Sequence, residues 1–270
     1  MFKSYSEFIN ENLNNIFKSA HGAIDPEDLI PLKDLIGNPK LPSEEEFQDV
    51  VNYLEVDKDD FFYNRGDMLH PICYWNGPIY YGFFGGLNME AIKMMRVKEY
   101  LIQMNRIFTE ALKKKDYERL FSRIDKKILI PTFIKMYKSI PDNKKYDVFI
   151  DLYVRSEYGF SSFPKDIIID CFKLRTKSTE WKKRMTKLKS VLKSKDKTIT
   201  VYRGMNRESA KQEYAFSWTL DEATAQFFAD RFEKGKGKII TRDVDLSEII
   251  DYLEDRGEAE IIILPYKFKH

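Results

Sequence analysis

Over the first two-thirds of the chain, apolar residues recur at three- and four-residue intervals. After Lys197 they gather into short alternating or continuous β-branched runs. The two periods predict helices followed by strands. Phe2, Tyr5, Phe8, Ile9, Leu13, Ile16 and Phe17 mark an amphipathic helix over 1–19. Pro26, Pro31, Pro39 and Pro42, with Gly22 and Gly37, predict a loop with short helical pieces over 20–44. Ser43-Glu44-Glu45-Glu46 opens a helix, with a Ser N-cap and a Glu three residues on. Asn88 and the spacing of Ile92, Met95, Tyr100, Met104, Ile107, Phe108, Ala111 and Leu112 predict one long helix or two over 88–121. Pro131 and Pro141 interrupt the pattern, and Pro141-Asp142-Asn143 marks a domain boundary near 140. That divides the chain into a possible leader over 1–11, a mainly helical domain over 12–140 and a second domain over 141–270. Two more helices are expected, one from Lys144 through Val154 to a cap at Gly159, one from Pro164 through Phe172.

Beyond Lys197, Thr198–Tyr202 reads as a strand ending in Arg203-Gly204, and Glu213–Thr219 as a second. Asp221–Phe232 is helical, with Ala225, Phe228, Ala229 and Phe232 on one side. Gly235-Lys236-Gly237 is a turn and Lys238–Val244 a third strand. Ser247–Glu254 reads as a short helix or turn. A last strand follows Gly257 and opens with Glu258-Ala259-Glu260. Helices followed by strands around one helix make the fold class α+β. Alternation along a strand places Glu258 and Glu260 on one face, with Ala259 on the other. Two carboxylates at the head of an apolar strand are costly to desolvate unless they have partners or work.

Composition narrows the classes. Hydrophobic residues make up 43% and charged residues 33% of 270 positions, as in a folded globular chain. Net charge is +2, so bulk charge does not make the chain a polyanion binder. Cys73 and Cys171 form no disulfide framework and suit a reducing compartment. His70 and Cys73 stand three apart without a second ligand pair, so no metal site is expected. No apolar run reaches the ~20 residues of a membrane helix, and no membrane partner is expected. Residues 61–87 are crowded with aromatics, but 71–87 hold no Lys or Arg. They read as core or protein interface, not as a stacking platform for bases. Residues 173–197 carry eleven Lys or Arg against Glu180 and Asp196. This segment is either a solvated face beside the stripe Trp181, Met185, Leu188 and Leu192, or a contact surface for the phosphates of a dinucleotide or nucleic acid.

Three elements stand in order: Val201-Tyr202-Arg203-Gly204, Phe216-Ser217-Trp218-Thr219 and Glu258-Ala259-Glu260. Together they resemble the Arg–Ser–Glu class of mono-ADP-ribosyltransferases, found among bacterial toxins and phage enzymes. Residues 198–264 carry the resemblance, including the helix after Ser-x-Thr, and 1–140 lie outside it. Thr219 stands where many members have Ser and keeps the hydroxyl. The resemblance implies an ADP-ribosyltransferase-like sheet core and NAD as substrate. Arg203 would hold the dinucleotide phosphate and ribose, with Gly204 beside it. Ser217 would position Glu260, and Thr219 would support that wall. Glu260 would be the catalytic carboxylate on the nicotinamide ribose. Glu258 would face the acceptor, an arginine of a host protein, and Tyr252, Leu253 and Asp255 would help choose that protein. The chemistry agrees on its own terms. Nicotinamide leaves neutral from a cation, so the reaction needs no general acid. It needs a stabilised oxocarbenium-like ribose, a held diphosphate and a placed acceptor. Carboxylates suit the first and last, and an Arg fork suits phosphate.

Tyr5-Ser6-Glu7-Phe8-Ile9-Asn10-Glu11 resembles the capsid-targeting peptide of internal head proteins in T4-like phages, cut after the Glu. That implies packaging in a virion head and release into the host cytoplasm. Two alternatives stay open. One is an NAD glycohydrolase of the same fold. The other is a non-catalytic packaged protein that binds DNA through 173–197.

Overall fold

The computed structural model describes residues 24–39, 41–156, 163–192, 197–207, 209, 211–254 and 257–265, and the labels below follow these residues. The helix expected over 1–19, the cut after Glu11, the cap at Gly159 and Asp255 lie outside them. Helices and two antiparallel sheets make the chain α+β. Internal contacts divide it into two compact units, Met1–Pro164 and Lys165–His270. Among the described residues no helix is long and apolar enough to cross a membrane.

In the first unit, strands β1 (Leu29–Pro31), β2 (Phe61–Asn64), β3 (Ile72–Asn76) and β4 (Ile79–Phe83) pair in chain order. The aromatic run of 61–87 builds this sheet and its core. The Phe61 ring is fully buried, 5.3 Å from Phe47 and 5.8 Å from Phe83. The helices are α1 (Glu44–Leu54), α2 (Met89–Met94), α3 (Val97–Lys114), α4 (Tyr117–Arg123), α5 (Lys126–Met136) and α6 (Asp142–Arg155). At the head of α1, Ser43 Oγ accepts from the Glu46 amide at 3.2 Å and Glu46 Oε2 accepts from the Ser43 amide at 2.9 Å, the capping box that the sequence predicts. The stretch 88–121 is three helices, because Arg96 and Lys115 take left-handed backbone, with φ of 55° and 54°.

Pro131 does not end its helix. It sits inside α5, where its missing N–H leaves the Lys127 carbonyl without a helical donor. The Ile24 amide donates to that carbonyl at 2.7 Å, so the backbone account closes. Pro141 starts α6 and does not separate domains. Tyr146, Phe149 and Leu152 of α6 are buried, and Arg155 donates to the Phe121 carbonyl at 2.6 Å. The division at 164 therefore falls one helix later than the boundary expected near 140. Both cysteines are free and buried. Burial pushes the Cys73 thiol up to about 12, which keeps it protonated and unreactive at neutral pH.

The second unit holds α7 (Lys165–Leu174), α8 (Thr179–Val191), β5 (Thr198–Met205), β6 (Ser217–Thr219), α9 (Glu222–Asp230), β7 (Lys238–Asp245), β8 (Ile249–Leu253) and β9 (Glu260–Ile263). The sheet order is β7-β5-β6-β9-β8. The strand expected over 213–219 shrinks to Ser217–Thr219, with a 3-10 turn over Gln212–Tyr214 before it. The short helix or turn expected over 247–254 is instead mostly strand β8, buried along its length. Its pattern misled because Asp251 interrupts an apolar run. Val201, Trp218, Val244, Tyr252, Ile261 and Ile263 pack with Leu188 of α8 into one core. Gly204, three residues from Val201, faces the other way, and there α9 packs against β5.

Candidate active site

The sheet order brings the three motif elements onto consecutive strands, although β6 and β9 are some forty residues apart in sequence. β5 pairs with β6 through Tyr202↔Thr219, and β6 pairs with β9 through Thr219↔Glu260. Residues opposed across an antiparallel pair share a face. One row therefore runs Tyr202–Thr219–Glu260, and β8 extends it to Leu253. Arg203 is out of phase with this row by one residue. Its position follows from the way the strands part. β5 stays paired with β7 from Thr198↔Asp245 to Met205↔Lys238, while its pairing with β6 is centred on Tyr202. In the seam beyond that pair, Arg203 Nη1 donates to the Ser217 carbonyl at 2.6 Å, and Nε lies 3.3 Å from Met205 Sδ. The guanidinium is half-buried and spans β5 and β6.

Thr219, not Ser217, stands directly opposite Glu260; Ser217 pairs with Ile262. The Thr219 hydroxyl donates to the Glu258 carbonyl at 2.6 Å and accepts from the Asp221 amide at 3.0 Å. The Leu220 amide adds a bond to the Ala259 carbonyl at 3.1 Å. One buried hydroxyl thus ties the carboxylate segment to the start of α9, whose N-cap Asp221 accepts from Ala223 and Thr224. The Thr224 hydroxyl and amide hold the Asp221 carboxyl below its usual range.

The shared strand face expected for Glu258 and Glu260 does not carry over. β9 begins at Glu260, and Ala259 takes φ 44°, in the left-handed region. A non-Gly residue there costs roughly 1–2 kcal/mol, held by the Thr219 and Leu220 bonds on either side of it. Glu258 therefore sits on a reversal at the strand mouth. Both carboxylate residues are half-buried.

Gly204, expected beside the dinucleotide, makes room for protein instead. A Cβ added there would overlap the Ala225 carbonyl oxygen and the Ala229 amide nitrogen of α9. Gly204→Ala is expected to cost about 3 kcal/mol, the upper part of the overpacking range, read as a lower denaturant midpoint. An unchanged midpoint would contradict this close approach of helix and strand. Tyr252 and Leu253, expected to help choose the target, are both 3% exposed within β8. Burial and the bond it donates to Glu254 push the Tyr252 phenol up. Lys187 first, then Tyr252, holds the Glu254 carboxyl below its usual range.

The Asp251–Arg184 pair was not anticipated from sequence. Asp251 is fully buried and takes a forked pair of bonds from Arg184 of α8: Nε lies 3.0 Å from Oδ1 and Nη2 lies 2.6 Å from Oδ2. Trp181 Nε1 donates to the Ile250 carbonyl at 2.7 Å. The signal available was the acid inside the run Ile249–Leu253. Among the described residues no group of three or more His, Cys, Asp or Glu side chains is arranged to hold a metal. No family model, curated protein or solved structure matches this chain.

Proposed function

We propose that the second unit is a mono-ADP-ribosyltransferase that moves ADP-ribose from NAD to an acceptor, with arginine of a host protein as the favoured class. The observation that carries the reading is the row Tyr202–Thr219–Glu260 with Arg203 in the adjoining seam. Three short motifs on different strands converge on neighbouring positions of one five-stranded antiparallel sheet.

In this reading Arg203 holds the diphosphate, for which its planar fork is suited. The N–C1′ bond to nicotinamide breaks and nicotinamide departs neutral with the bonding pair. Glu260 lies against the ribose, where its charge stabilises the oxocarbenium-like centre and its oxygen takes a hydroxyl hydrogen bond. The acceptor nitrogen then bonds to C1′ and gives its proton to Glu258, which the reversal at Ala259 carries to the strand mouth. Thr219 keeps that reversal in place through the Glu258 carbonyl. Ser217 contributes its carbonyl to the resting position of Arg203. The resemblance of Tyr5–Glu11 to a capsid-targeting peptide adds delivery from a virion head into host cytoplasm to the proposal.

Incubation with NAD labelled in the adenylate and a host-cell extract tests it. Label on a protein band is expected. Nicotinamide release without a labelled acceptor would reassign the unit as an NAD glycohydrolase, and neither product would overturn the enzyme reading.

A further inference from the structure

The sheet uses only one side of α8. Trp181, Arg184, Met185 and Leu188 turn inward, fixed by the Ile250 carbonyl, the Asp251 carboxylate and the apolar core. The outward side is a shallow depression of about 490 Å³ lined by Thr179, Lys182, Lys183, Thr186, Lys187 and Ser190. These form two i, i+4 rows, one of Thr179, Lys183 and Lys187 and one of Lys182, Thr186 and Ser190. Lys189 is exposed beyond them, and Lys173 and Lys177 are exposed before the helix. Acids answer part of this charge. Glu180 pairs with Lys183 at 2.7 Å, and Glu254 pairs with Lys187. The excess is positive, on a helix held rigid from behind.

We propose that this face of α8 binds duplex nucleic acid through its phosphates, without reading sequence. Ammonium groups interleaved with hydroxyls are the donor set that phosphate oxygens take. A membrane surface fits less well, because interfacial helices insert an apolar face into the lipid, and here that face is packed on β8. A single strand also fits less well, because it is held by stacking on exposed aromatics. The one aromatic of α8, Trp181, donates inward. The inference does not depend on the transferase reading. If both hold, the Lys187–Glu254 pair ties the docking face to the end of β8, the strand that pairs with β9.

Fluorescence anisotropy with a labelled 20-base-pair DNA duplex, without NAD, tests the proposal. About four phosphate contacts predict a log–log salt slope near −3.6, a weakening of about 150-fold between 50 and 200 mM salt. The triple variant Lys182→Gln/Lys183→Gln/Lys189→Gln removes three exposed charges and leaves Lys187 on Glu254. It should bind at least about tenfold more weakly at 50 mM salt and bring the slope near −1, with an unchanged melting temperature. The control Lys113→Gln/Lys114→Gln, on α3, should bind like the parent chain. The proposal is overturned by no binding at 50 mM salt, by a triple variant that binds normally, or by a control that loses as much. Binding to phosphatidylserine vesicles in place of the duplex, with the same lysine dependence, would also overturn it.

Discussion

Glu260→Gln is expected to lower both ADP-ribose transfer and NAD hydrolysis by about 100-fold or more, the usual scale for removing one preorganised electrostatic stabiliser. The substitution keeps the size and planarity of the side chain and removes the charge that the proposed mechanism sets against the ribose. Glu260 begins β9, is half-buried, and is held through its backbone by pairing with Thr219 and Leu253. Near-parental activity in a folded variant would remove Glu260 from the reaction. Glu258→Gln should separate the two activities. Transfer to a guanidinium needs a base to take the proton, whereas water attacks the same centre with less help. Transfer should therefore fall by at least about 100-fold while hydrolysis persists. The Thr219 bond runs to the Glu258 carbonyl and not to its carboxylate, so the Ala259 reversal survives the substitution. Equal loss of both activities would make Glu258 a residue that shapes the mouth of the site.

The sequence was legible where local chemistry determines structure. The Ser43/Glu46 box, the strands from Thr198 and Lys238, and the helix after Asp221 each depend on residues close in the chain. It misled where a distant partner decides. Pro131 stays helical because Ile24, more than a hundred residues earlier, supplies a donor for the Lys127 carbonyl. Ile249–Leu253 is a buried strand although Asp251 lies inside it, because Arg184, from another helix, pairs with that carboxylate. Of the candidate site, the three motifs and their strands were readable, but their phases were not. Alternation placed Glu258 with Glu260, and one left-handed Ala259 undoes that rule. Pairing put Thr219 and not Ser217 opposite Glu260. The resemblance put Gly204 beside the dinucleotide, and α9 packs against that position.

Arg184→Met is expected to cost about 3 kcal/mol of stability in the second unit, the low end of the range for stranding a buried charge. The Asp251 carboxylate is fully buried and takes a forked contact from the guanidinium. The Tyr252 amide at 2.8 Å is a further donor, but a neutral amide cannot replace the paired charge of the guanidinium. Methionine fills much of the arginine stem volume, so the loss reports charge and hydrogen bonding more than packing. The double variant Arg184→Met/Asp251→Asn should recover part of the loss, because the stranded charge goes with its partner. Urea denaturation followed by tryptophan fluorescence measures both, since Trp181 and Trp218 lie in this unit. A loss below about 1 kcal/mol would place the pair in the range of surface contacts. The effect should reach the candidate site. Asp251 holds α8 on β8, β8 pairs with β9, and Leu253 stands opposite Glu260. A loosened β8 leaves that strand with a single partner, so transfer should fall in the single variant before global unfolding and recover in step with stability in the double one.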